Sequence, residues 1–322
     1  MSAVLKLGTR GSRLALWQAE WVQAALARHG VDADLIVIKT RGDAEVDRPL
    51  RELEGKGFFT KEIEDALLAG RIDAAVHSLK DLPTRLPDGL ALAAVPPRAD
   101  PAEALVTRDA GVASIADLPG GAKIGTSSLR RVAQVRYLRP DLEIVALRGN
   151  VPTRVQKVTQ GRDGLAAALL AAAGLERLEL AGRIAARVDP LVVMPAPGQG
   201  ALGLEVRSDD RRARVALAPL EDAESARHVA AERSLLATLE GGCQAPVAAY
   251  VGARDSGLGA RLFGRVTALD GSVQITASAV IDDSDPAAAS SAAASPSRPW
   301  VTFWTRVGTL PRSATISRSG LR

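Results

Sequence analysis

The sequence predicts an α/β protein of two similar lobes with mixed, mostly parallel sheets, followed by a small α+β third domain. Three observations predict it. Short apolar strands alternate with helical stretches through the first half of the chain. The pattern restarts after the stiff connector PPRADP (Pro96 to Pro101), and a second turn-rich crossing, VVMPAPGQGAL, follows near residue 195. Beyond residue 220 one helical stretch gives way to alternating segments that suit an antiparallel sheet.

Taken in order, Val4 to Gly8 is a short apolar strand, and Ser12 is suited to cap a helix running to about His29. Ala33 to Lys39 reads as a second strand. A polar, glycine-rich loop then leads to a helix from Thr60 to about Ala69. Ala74 to His77 and Leu90 to Val95 complete the first lobe. Glu103 to Thr107, Lys123 to Gly125, Glu143 to Leu147 and Leu165 to Leu170 are the strands expected of the second. Glu221 to Leu239 reads as an amphipathic helix ending at Gly241-Gly242. PVAAYVGA, ARLFGRVTAL and SVQITASAV follow as strands, with Asp270-Gly271 as the hairpin signal. The expected division is 1–99 with 199–217 as lobe one, 100–198 as lobe two, and 218–282 as the third domain. Residues 283–322 form a tail rich in Ala, Ser and Pro with no helical period, expected to be poorly ordered.

Composition narrows the function. With 322 residues there is ample length for a core, and with 3% aromatics that core must be aliphatic. The net charge of +4 is mild, and the tail holds three of those charges. Almost no aromatic lies near a basic cluster, which argues against nucleic acid. A single cysteine excludes an internal disulfide and suits a reducing compartment. MSAVLKLGTR has no long apolar h-region and no stretch approaches a bilayer span, so a soluble, cytoplasmic protein is expected.

Arginine position carries more than arginine number. LKLGTRGSRLALWQ, AKIGTSSLRRVAQV and IVALRGNVPTRVQK each run a strand into a polar loop and open a helix with arginine. A helix N-terminus already carries partial positive charge, so Arg10, Arg13, Arg130, Arg131, Arg148 and Arg154 sit unfavourably there without an anion. An arriving carboxylate or phosphate turns that cost into a gain. GTSSLRR lacks the lysine of a P-loop, and its Thr126, Ser127 and Ser128 offer donors to carboxylates equally well. In VHSLKDLP, Lys80 and Asp81 leave the end of a buried strand. They are either a carboxylate in a cleft with a cation beside it or an ordinary surface turn. EGKGFF, with Lys56 and Phe59, reads as a mobile flap or simply as a glycine-rich loop. Cys243, in LEGGCQAP, is an accessible sulfur or an inert small hydrophobe. The histidines at 29, 77 and 228 have no ligand spacing, so no metal is expected, and His77 reads as a satisfied strand-end residue.

TRGSRLALWQA, TRGD, GKGFFTKEIEDALL, DAAVHSLKDLPT, IGTSSLRR, LRGNVPTR, PAPGQGALGLE and LEGGCQAP occur in one order over residues 4 to 282. In that order they resemble the porphobilinogen deaminase (hydroxymethylbilane synthase) family. The resemblance implies a transferase that joins four porphobilinogen molecules head to tail, with loss of ammonia, into linear hydroxymethylbilane for tetrapyrrole biosynthesis. It implies a dipyrromethane cofactor tethered by thioether to Cys243, and Asp81 as the catalytic aspartate. It assigns Arg10, Ser12, Lys80, Ser128, Arg130 and Arg131 to the cofactor, and Arg148, Arg154, Lys56 and Phe59 to substrate. A fold of two lobes like those of periplasmic binding proteins, a monomer, and no nucleic-acid or membrane partner are implied with it. A non-enzymatic, two-lobed anion-binding protein would share the lobes and arginines but has no use for Cys243 or Asp81. The family's closing helix is replaced here by the Ser/Pro/Arg tail, which reads as a frameshift hypothesis that resequencing of the locus tests.

Overall fold

The computed structural model describes residues 4–40, 60–239, 246–253 and 260–281. Lys56, Phe59, Cys243 and the tail from 283 lie outside these residues. The first sheet contains β1 (Leu5–Arg10), β2 (Ala33–Ile38), β3 (Ala74–Ser78), β4 (Leu90–Ala94) and β10 (Leu202–Arg207), in the order β2-β1-β3-β10-β4. The second contains β5 (Glu103–Thr107), β6 (Lys123–Gly125), β7 (Glu143–Val145), β8 (Leu165–Ala171) and β9 (Ala186–Val188), in the order β7-β6-β8-β5-β9.

The two sheets correspond position by position. In each the first three strands pair in parallel, and the fourth, β10 or β5, is antiparallel to both neighbours. Those two strands are the ones that follow the crossings, so each crossing enters its lobe against the prevailing strand direction. β10 and β9 were not anticipated as strands, and β7 stops at Val145 rather than Leu147.

Helix α1 (Arg13–Arg28) begins at the expected cap: Ser12 Oγ accepts from the Ala15 N–H at 3.3 Å. It buries Ala19, Val22 and Leu26 against Leu5, Leu7 and Leu204. On the opposite face, α2 (Lys61–Leu68) buries Ile63 and Leu67 against Ile72, Ala75 and Leu90. In the second lobe, α3 (Leu129–Leu138) follows β6, and α4 (Val151–Thr159) follows β7. Asn150 caps α4 by accepting from the Thr153 N–H at 2.9 Å, and Val155 and Val158 pack on Leu147, Leu165 and Leu170. Each such aliphatic side chain contributes roughly 1.5–3 kcal/mol on burial. The short helix α5 (Ala172–Arg177) packs on β8 and α1, and α6 (Arg211–Leu217) on β4 and β10.

Helix α7 (Ala223–Thr238) starts two residues later than its sequence pattern suggested, with Asp222 as its cap. It packs Leu235 and Leu239 on β11 (Val247–Ala253) and β12 (Ala260–Thr267), which continue into β13 (Gln274–Val280). Gly271 takes a left-handed φ of 77° in the β12–β13 turn, as the Asp-Gly signal requires. The helix is not simply amphipathic, because Glu232 is fully buried in it. Glu232 holds Arg98 of the first crossing through paired bonds at 2.8 and 2.9 Å, the Gly198 N–H of the second at 2.7 Å, and the Val251 N–H of β11 at 2.8 Å. The crossings also touch one another: Ala99 N–H donates to Gly200 O at 3.3 Å, and a Cβ on Gly200 would lie 2.4 Å from Ala99 O. Only glycine fits there. No described helix is long and apolar enough to cross a membrane.

Candidate active site

The cationic loops lie where parallel sheets collect ligands, beyond the carboxyl ends of their strands. Arg10 ends β1, and Ser12 follows it. Ser128 precedes α3 after β6, while Arg148 and Arg154 flank the start of α4 after β7. Lys80 and Asp81 occupy a one-turn 3₁₀ segment, Leu79–Asp81, directly after β3, and Asp81 is exposed. Ser127 ties two of the loops together, donating to Leu147 O at 3.0 Å and accepting from the Leu147 N–H at 3.1 Å. Ser128 makes no side-chain cap bond, so its hydroxyl is not committed to the helix it starts.

Electrostatics connects the two lobes across this region. Burial pushes the Lys80 ammonium down to about 8, and Arg131 and Arg130 push the same way, against the opposing pull of Asp81 and Glu103. Lys80 Nζ also approaches Gln199 Oε1 at 3.4 Å. Burial lowers Arg154 to about 10, aided by Arg131 and Arg148 and opposed by Asp81. Lys80 and Asp81 from the first lobe therefore share one field with Arg131, Arg148 and Arg154 from the second. Several like charges held this close attract a polycarboxylate strongly.

Arg130 and Arg131 have a partner that their loop alone did not reveal. Arg130 Nη2 meets Glu103 Oε1 at 2.6 Å and Arg131 Nη2 meets Glu103 Oε2 at 2.7 Å. Their other ends donate to Met194 O at 2.6 Å and Leu169 O at 3.0 Å. Burial alone would raise the Glu103 carboxyl, but Arg131 and Arg130 outweigh it and hold the group down at about 2. Both side chains are nearly inaccessible, at 6% and 8%. The cue in the sequence was Glu103 itself, an acid opening an apolar strand just after a crossing.

Gln199 and Arg177 were likewise missed. Gln199 is fully buried, bonding Pro101 O at 2.8 Å as well as facing Lys80. Arg177 stands 5.8 Å over the Trp17 ring and donates to Gly200 O at 2.6 Å, linking α5 to α1 and to the second crossing. His77 is the satisfied strand-end residue expected, 3.1 Å from Glu205.

The donor set fits a carboxylate-bearing cofactor. Arg131 Nε and Arg148 Nε are buried with no protein partner among the described residues, and carboxylate oxygens are the acceptors that guanidinium groups match best. The sulfur that would tether such a group, Cys243, belongs to the segment outside the described residues.

Residues 5–215 match the family described as porphobilinogen deaminase, dipyromethane cofactor binding domain, and residues 226–295 match the porphobilinogen deaminase C-terminal domain. Among curated relatives, the porphobilinogen deaminase of Syntrophotalea carbinolica is 53% identical over 273 residues, 84% of each chain. That of Syntrophobacter fumaroxidans is 50% identical over 83% of this chain and 85% of its own, and that of Moorella thermoacetica 48% over 88% and 90%. Among solved structures, a periplasmic substrate-binding protein of an ABC transporter from Coxiella burnetii aligns at a TM-score of 0.41 and 14% identity, covering 70% of this chain and 96% of its own. Matched by both domain families over residues 5–215 and 226–295, and about half identical to its curated relatives over most of its length, this chain belongs to the porphobilinogen deaminase family.

Proposed function

We propose that this chain condenses four porphobilinogen molecules head to tail into linear hydroxymethylbilane, releasing ammonia at each step, and that the Lys80–Asp81 turn and the arginines facing it carry the reaction. The observation that supports this assignment most is the shared field of Asp81, Lys80, Arg131, Arg148 and Arg154, drawn from both lobes. Lobe one takes residues 1–99 and 199–217, lobe two takes 100–198, and the third domain takes 218–282.

Porphobilinogen brings two carboxylates, so each addition raises the negative charge that the cleft must hold. Arg148 and Arg154 bind the acetate and propionate arms of substrate, with Lys56 and Phe59 closing over it. Arg10, Ser12, Lys80, Ser128, Arg130 and Arg131 hold the arms of the dipyrromethane. When bound through Cys243, that group supplies the nucleophilic pyrrole carbon to which the first substrate joins.

Loss of ammonia from the aminomethyl arm leaves the incoming pyrrole electron-deficient. Asp81 faces this developing cation with a carboxylate and accepts from pyrrole N–H groups, a stabilisation matched to charge that grows in the transition state. Lys80 beside it keeps the local charge balanced, so the acid does not repel the substrate's own carboxylates. We infer that the protein works as a monomer in the cytoplasm, with no nucleic-acid or membrane partner.

Intact-mass measurement of the purified protein tests the reading. An added dipyrromethane on Cys243, with bilane formation that Asp81→Ala abolishes while keeping the adduct, is the expected result. An unmodified thiol in folded protein, or near-normal turnover in Asp81→Ala, overturns it.

A further inference from the structure

Asp81 owes its place to a three-residue turn, and a side chain from the third domain grips that turn. Arg233, on α7, donates through Nη1 to Leu79 O at 3.3 Å and Leu82 O at 3.1 Å, and through Nη2 to Pro83 O at 2.7 Å. The three carbonyls bracket Lys80 and Asp81 on both sides. The turn is otherwise fixed at its entrance, where the Leu79 N–H donates to Ala201 O at 3.0 Å, and by its own bond from Leu82 N–H to Leu79 O at 3.2 Å.

Arg233 is itself held firmly, because its neighbour Glu232 locks α7 to both crossings and to β11. A planar fork on an anchored helix suits several fixed acceptors at once, which a lysine ammonium cannot match. The same helix leads, ten residues on from Arg233, to Cys243.

We infer that Arg233 is a positioning residue for Asp81: by clamping the carbonyls of the Leu79–Pro83 turn it registers the aspartate against α7. The inference rests on the function proposed above. It assigns Arg233 neither to substrate carboxylates nor to the tetrapyrrole chain, but to the backbone that aims the acid.

The test compares wild type, Arg233→Lys and Arg233→Ala, with rates normalised to the fraction carrying dipyrromethane by intact mass. Arg233→Ala should load the cofactor and keep KM, yet lose about 100-fold in kcat, the scale expected for a misplaced catalytic group. Added guanidinium should restore part of that kcat in Arg233→Ala and none in Arg233→Lys. Wild-type kcat per loaded molecule, with only a lowered Tm, would reduce Arg233 to a structural role and overturn the inference. A raised KM at unchanged kcat would make it a substrate ligand, and overturn it too. Should Arg233→Ala fail to fold, Arg233→Lys decides alone, since a full kcat there refutes the need for the fork. A wild-type chain lacking adduct and turnover overturns the underlying function, whereas a loaded, active wild type beside unimpaired variants overturns only the role of Arg233.

Discussion

Glu103→Gln is the perturbation whose cost the structure defines best. Glu103 is fully buried and bridges two guanidinium groups at 2.6 and 2.7 Å, so glutamine keeps the shape and removes the negative charge that compensates them. Its carboxyl ordinarily titrates at 4.5 and is held at about 2, a difference corresponding to roughly 3 kcal/mol of folded-state stabilisation. Removing one partner of a buried ion pair costs about 3–5 kcal/mol, so the two routes agree. Because the folded value lies below the unfolded one, this stabilisation is complete above 4.5 and disappears as pH falls toward about 2. Urea unfolding of wild type and variant across that range is the assay. The stability gap should be full near neutrality and close progressively through the acidic window. Parallel curves throughout, or a gap below about 1 kcal/mol near neutral pH, would refute the reasoning.

Other consequences are more direct. Lys80 is charged below about 8, so assembly of the dipyrromethane should slow as pH climbs past that value, and Lys80→Met should remove this pH dependence, as intact mass over a loading time course reads. Arg148→Leu deletes a donor in the shared cationic field, and a lost charge-assisted bond should raise KM about tenfold or more or impair cofactor assembly; steady-state kinetics with intact mass reads both. Arg98→Ala strands the Glu232 carboxylate, which is fully buried, and should cost about 3–5 kcal/mol in urea unfolding.

Legibility in the sequence followed the range of the interaction. Ser12 was recognisable as a cap because its partner, the Ala15 N–H, is three residues away. β10 was not recognisable, since PAPGQGALGLEVR opens with turn residues and carries Gly203 inside the strand. That glycine is there for close approach: a Cβ on it would lie 2.8 Å from Leu79 Cδ1. The amphipathic reading of α7 gave no sign of a buried acid, yet Glu232 finds Arg98 at a separation of 134 residues. Likewise the loop after β6 showed two arginines facing an unknown anion. One anion proved to be Glu103, 27 residues before Arg130. Helical and strand periodicity report exposure averaged over a face, and a buried charge with a distant partner is invisible to them.

The buried acids sort the basic residues into two kinds. Glu232 and Glu103 anchor Arg98, Arg130 and Arg131, which fixes the crossings and the loop after β6 before any ligand arrives. Arg148 and Arg131 instead act on Arg154, and Arg131 with Arg130 on Lys80, with Asp81 as the acid that opposes both Arg154 and Lys80. Anchoring matters because a cationic cleft without rigid counterions would spread by self-repulsion, and its charges would lose their registration on the substrate arms. Spending one buried carboxylate on two guanidinium groups leaves the triad net positive, so it remains attractive to a polyacid while its geometry stays fixed. In the proposed reaction the same division leaves Asp81 its role: it sits beside Lys80, and the pair would present a carboxylate to a developing cation without giving the cleft a negative wall.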